Sequence, residues 1–80
     1  MTERNTITDT ITKEIKMLVG GADVTVDDTL EESGLSSIDM FSLYMFISEE
    51  CQVELSPMSL RKEMTINELC DLIYEKRRNN

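Results

Sequence analysis

Apolar residues recur at Ile7, Ile11, Ile15 and Leu18, at spacings of four, four and three, which line one face of a helix. The pattern predicts a first helix over 6–19, closed by Gly20-Gly21 because glycine takes the left-handed turn that ends a helix. Over 20–35 the helical period is lost, and a long loop is expected there, held to the core by Val24, Val26, Leu30 and Leu35. So long a connection in a small domain is uncommon and is often functional. A second helix is predicted over 36–51. Ser36 is its N-cap, Asp39 completes an S-x-x-D capping box, and Ser37 is the first helical residue. Ser56 and Pro57 then open a short helix over 57–63. Thr65 and Glu68 make a T-x-x-E box for a last helix over 65–77, with Ile66, Leu69, Cys70 and Ile73 facing inward. Lys76, Arg77 and Arg78 lie at its end, where positive charge suits the helix dipole. Three main helices and one short one read as an all-α, small four-helix bundle forming one domain over 1–80.

The second helix carries more apolar surface than one buried face requires. Met40, Leu43, Tyr44, Ile47 and Cys51 form one stripe, and Ile38, Phe41 and Met45 form another displaced around the axis. A bundle of 80 residues has too little mass to cover both. The second stripe is therefore expected to stand exposed as a partner-binding ridge.

Charge sharpens this picture. The net charge is -8, and every basic residue lies at or before Lys16 or at or after Arg61. Between those limits stand Asp23, Asp27, Asp28, Glu31, Glu32, Asp39, Glu49, Glu50 and Glu54. Such a surface repels phosphate backbones and anionic lipid, so neither nucleic acid nor membrane is an expected partner. It suits basic patches on other proteins, with Glu31, Glu32, Asp39, Glu49 and Glu50 around the ridge as the expected docking charges. Glu49 and Glu50 oppose the dipole at the end of their helix, a cost that a basic partner would offset.

The chain offers little for catalysis. It has no histidine, no phosphate-cradling glycine loop, and two cysteines, Cys51 and Cys70, placed in apolar helical segments as buried hydrophobes. Two thiols without a third ligand make no zinc site, and Asp23, Asp27 and Asp28 lack the ligand alternation of a calcium loop. No metal is expected and the chain is not expected to be an enzyme. Met1-Thr2-Glu3-Arg4-Asn5 precedes no apolar run, so no signal peptide or membrane span is expected and the cytoplasm is the expected location.

The stretch Glu32-Ser33-Gly34-Leu35-Ser36-Ser37-Ile38-Asp39-Met40 resembles the attachment motif of the acyl carrier protein family, Gly-x-Asp-Ser-Leu-(Asp/Glu). The resemblance extends through Ser48-Glu49-Glu50, Val53 and Leu55, and Met64-Thr65-Ile66-Asn67-Glu68-Leu69. It implies an acyl-carrier-protein-like bundle with 4'-phosphopantetheine, supplied by coenzyme A, attached covalently at Ser37. The implied partners are a phosphopantetheinyl transferase and acyl-loading and acyl-processing enzymes with basic docking patches, met by a monomeric carrier. Helix-start geometry agrees, since a phosphodiester there meets unpaired backbone N–H groups and the positive end of the dipole. The chain departs from the family motif at Ser36, where the Asp is usual, which makes Ser36 a conceivable second attachment residue. Ser42 and Ser48 stand at positions commonly acidic in fatty-acid carriers, and Phe41, Tyr44 and Phe46 are bulkier than usual there. These departures lean toward polyketide or nonribosomal-peptide biosynthesis over housekeeping fatty-acid synthesis. The absent Gly-Gly-His-Ser motif favours acyl over aminoacyl cargo. An adaptor module with the carrier fold and no arm is the alternative of another class.

Overall fold

In a computed structural model, described over residues 3–21 and 23–78, α1 runs Glu3–Leu18, α2 Ser37–Phe46 and α3 Ile66–Arg78. Met1, Thr2, Ala22, Asn79 and Asn80 lie outside the described residues, so the expected leaderless start and the first position of the loop after the glycines are not described in full. The predicted stripes meet in one core. Ile7, Ile11 and Ile15 of α1, Leu43 of α2 and Ile66, Leu69, Cys70 and Ile73 of α3 are all buried. Leu18, Met40 and Tyr44 pack at its edge, half-buried. Among the described residues no helix is long and apolar enough to cross a membrane.

α1 starts three residues earlier than its apolar stripe indicates, because Arg4 ties the start to α3. The Arg4 guanidinium donates to Asp71 Oδ1 at 2.9 Å and to Asn67 Oδ1 at 2.7 Å, and it also bonds the Thr8 hydroxyl. At the other end Gly21 N–H donates to Lys16 O and Gly20 N–H to Met17 O, a Schellman closure with φ of 80° at Gly20.

The long loop has its own structure. Thr29 N–H donates to Glu32 Oε1 and Glu32 N–H to Thr29 Oγ1, a capping box on a single helical turn. Gly34, at φ 97°, closes that turn while Leu35 N–H returns to Leu30 O. The signal was present as Thr29-x-x-Glu32, the same box read correctly at Thr65-x-x-Glu68. Val24, Leu30 and Leu35 are buried as expected, and Val26 is half-buried. Backbone bonds then sew the loop to the segment before α3. Leu30 N–H donates to Met64 O, Glu31 N–H to Lys62 O, Ile66 N–H to Asp28 O and Asn67 N–H to Val26 O.

Those bonds correct the short helix predicted over 57–63. Only Pro57–Ser59 forms a 3-10 turn, with the Ser56 hydroxyl accepting from Met58 N–H. Leu60 is extended, at φ -92° and ψ 99°. The carbonyls of Lys62 and Met64 accept from Glu31 and Leu30, so past Leu60 the segment pairs with the loop instead of continuing as a helix.

The second helix is also corrected. Its α-helical part ends at Phe46, and Ile47–Cys51 continues as one π-helical turn. No basic residue supports its last turn, and Glu49 and Glu50 oppose the dipole. The wider turn keeps both Ile47 and Cys51 buried. Gln52 then reverses the chain in the left-handed region, at φ 56°, and returns Val53 and Leu55 to the core.

Candidate functional site

The loop turn delivers the chain to the mouth of α2, where two hydrogen bonds fix the entry. Asp39 N–H donates to Ser36 Oγ, and Ser36 N–H donates to Asp39 Oδ2, each at 3.1 Å. Ser36 is extended, at φ -82° and ψ 175°, and its carbonyl accepts Met40 N–H at 2.9 Å. The N–H groups of Ser37 and Ile38 remain at the helix mouth without an intrahelical acceptor. Ser37 is exposed, and its hydroxyl has no hydrogen-bond partner among the described residues. An ester of phosphoric acid on Ser37 fits this position: its charge would lie at the positive end of a helix of 10 residues, and solvent is open beyond it.

The two stripes of α2 separate as expected. Leu43 is fully buried, whereas Ile38 is 78%, Phe41 66% and Met45 43% exposed. Met58, on the 3-10 turn, adds a further exposed apolar side chain that the periodicity of α2 could not reveal. Between these elements lies a shallow apolar cavity of about 150 Å³, lined by Met40, Phe41, Tyr44, Pro57 and Leu60. Its far wall is held by the Tyr44 hydroxyl, which donates to Leu55 O at 2.9 Å. Met40 and Phe41 follow Ser37 by three and four residues, which puts these two lining residues one helical turn from Ser37.

The acidic side chains divide by role. Glu49 and Glu50 are exposed on the π-helical turn. Glu31 is exposed with Lys62 Nζ 3.9 Å from its carboxylate, a loose surface pair that leaves most of its field to solvent. Glu32 and Asp39, both expected docking charges, are also engaged as caps, Asp39 in the box that its spacing from Ser36 predicts. Their charge still adds to the field around the ridge, while their geometry serves the loop and the helix start.

The cysteines take no part in the site. Both are free and buried, and burial pushes each thiol up in pKa, against partial opposition from Arg77 at Cys51 and Arg4 at Cys70. A thiol held protonated and out of solvent is a poor nucleophile. Among the described residues no group of three or more His, Cys, Asp or Glu is placed to hold a metal ion.

The family model described as phosphopantetheine attachment site matches the chain over residues 5–73, which takes in all of α2, the loop before it and most of α1 and α3. No curated protein and no solved structure matches it significantly.

Proposed function

Since the chain belongs to the phosphopantetheine attachment site family, and so is a carrier of covalent 4'-phosphopantetheine, we propose that Ser37 bears the arm and that the cargo is an acyl intermediate of polyketide- or nonribosomal-peptide-type biosynthesis. The observation that carries the assignment is the contrast at the mouth of α2. The Ser36 hydroxyl is engaged in a cap, and the Ser37 hydroxyl is exposed and unpartnered. Bound there, the arm supplies a terminal thiol on which an acyl group is held as a thioester.

The protein's own part is to present and to dock. Ser37 holds the attachment point on a rigid helix start, and tethering raises the local concentration of cargo at each partner's active site. Ile38, Phe41 and Met45 supply an apolar contact, with Met58 beside them and Glu31, Glu49 and Glu50 as a negative rim. The partners are a phosphopantetheinyl transferase and acyl-processing enzymes with basic surfaces. The exposed Phe41 and the exposed Ser48 in place of an acid support a specialised pathway. The apolar cavity beside Ser37 offers cover to a short acyl chain. Burial keeps the Cys51 and Cys70 thiols out of reach of acyl groups on the arm. Free thiols also favour a reducing compartment, and the cytoplasm is the proposed location.

Incubation of the wild-type chain with coenzyme A and a broad-specificity transferase is expected to raise its intact mass by one phosphopantetheine arm. No increase with several transferases would overturn the reading in favour of an armless adaptor. Glu49→Lys with Glu50→Lys should lower the transferase's kcat/KM roughly tenfold at low salt and flatten its salt dependence, as reversal of rim charges slows encounter. An unchanged rate, with helicity intact by circular dichroism, would remove this face from the docking surface.

A further inference from the structure

Two serines stand side by side at the mouth of α2, and each carries a primary hydroxyl that phosphoryl transfer could use. A carboxylate at position 36 would cap the helix without offering a competing nucleophile, so the selection problem is created by this chain's own Ser36. We propose that the reciprocal box between Ser36 and Asp39 directs the arm to Ser37, with Asp39 acting as a positioning residue; this inference rests on the Ser37 reading above.

The transfer sets the requirement. Ser37 Oγ forms a bond to the phosphorus next to the pantetheine of coenzyme A, and the pyrophosphate P–O bond breaks. Adenosine bisphosphate leaves with the electron pair, and the serine proton passes to a base on the transferase. The attacking oxygen must present a free lone pair in line with the leaving group, away from the rest of the chain.

Ser36 Oγ keeps a second lone pair, but while the box is closed the oxygen is held toward the first turn and not away from the chain. It accepts Asp39 N–H, and the Asp39 carboxylate holds Ser36 N–H in return, so the side chain is drawn over the first turn and the residue stays at extended φ and ψ. The same two bonds make Ser37 the first residue inside the helix, exposed and with its hydroxyl unengaged. Asp39 itself is half-buried, and its carboxylate bonds Ser36 N–H. Without the Asp39 carboxylate Ser36 N–H loses its partner, and only the bond from the backbone N–H of residue 39 to Ser36 Oγ remains. The equilibrium constant for the closed turn then falls, by roughly fivefold for a cap of ordinary strength, and Ser36 rotates outward more often.

The test loads the wild type, Asp39→Ala and Asp39→Asn with coenzyme A and a broad-specificity transferase, then locates the arm by peptide fragmentation. The wild type should carry it on Ser37 alone. Asp39→Ala should raise loading on Ser36 about fivefold, to a detectable share, and slow loading on Ser37. Asp39→Asn keeps an oxygen for Ser36 N–H and should return the arm to Ser37 alone, whatever the lost docking charge does to the rate. Ser37→Ala should stay unloaded, whereas Ser37→Ala combined with Asp39→Ala should load on Ser36. Independently of loading, Ser36 amide hydrogen exchange should speed up in Asp39→Ala and not in Asp39→Asn. Asp39→Ala loading at the wild-type rate on Ser37 alone would overturn the inference. Asp39→Asn placing as large a share on Ser36 as Asp39→Ala does would overturn it too, by assigning the effect to the lost charge. A wild type that takes no arm would overturn the Ser37 reading and this inference with it.

Discussion

Ser37→Ala is expected to take phosphopantetheine loading to zero while the domain melts as the wild type does. The loss is total because the arm forms a covalent bond to one oxygen, and no neighbouring group takes over that bond while the Ser36 hydroxyl is held in its cap. The fold should not notice. Ser37 is exposed, its hydroxyl has no partner among the described residues, and alanine is well tolerated in the first turn of a helix. A stability change within about 0.5 kcal/mol is the expectation for such a surface position. Intact mass after incubation with transferase and coenzyme A reads the first half, and thermal melting followed by circular dichroism reads the second. Ser36→Ala, by contrast, should still load. A Ser37→Ala chain that gains an arm elsewhere would sink the assignment, and one that loses its helicity would make the missing arm uninformative.

The second large effect lies two residues apart on the same helix. Leu43→Ala should destabilise the domain by about 3 kcal/mol, because it removes a fully buried side chain from a core too small to collapse around the gap. A chain of 80 residues has a total stability on the order of 4–12 kcal/mol, so this one truncation removes a large share of it. The melting temperature should fall by roughly 12–24 °C. Phe41→Ala deletes a larger side chain, yet Phe41 is 66% exposed, and its cost should stay under about 1 kcal/mol. The same Phe41→Ala change should weaken partner docking, where Phe41 stands in the apolar ridge. Chemical denaturation of the pair measures the contrast. Equal losses from the two variants would mean that α2 is buried on both stripes and that no ridge exists.

How much of this was legible in the sequence can be judged position by position. The box at Ser36 and Asp39 was legible because capping is local: a serine and an acid three residues apart meet without help from the rest of the chain. The box at Thr65 and Glu68 was legible for the same reason, and the identical box at Thr29 and Glu32 was overlooked because no apolar period follows it. The helix expected over 57–63 failed at Leu60. There the backbone turns extended so that Lys62 and Met64 can accept bonds from Glu31 and Leu30, residues far away in sequence. Backbone pairing of that kind leaves no mark in side-chain pattern. Glu32 is legible in the sequence as a charge but not as a cap, because a sequence shows that a carboxylate is present and not what its oxygens face.

By itself the sequence determined the helical class, the faces that α1 and α3 turn inward, the charge asymmetry and the place of Ser37 at a helix start. Each of these follows from spacing along one chain, where residues three and four apart share a face and a cap lies within one turn. The tertiary structure alone decided which stripe of α2 is covered, where the long loop is pinned and how the short helix gave way. All three depend on which segments meet across the core. The candidate site therefore has its residues and its cap from the sequence, and its exposed ridge from the packing that covers the other stripe of α2.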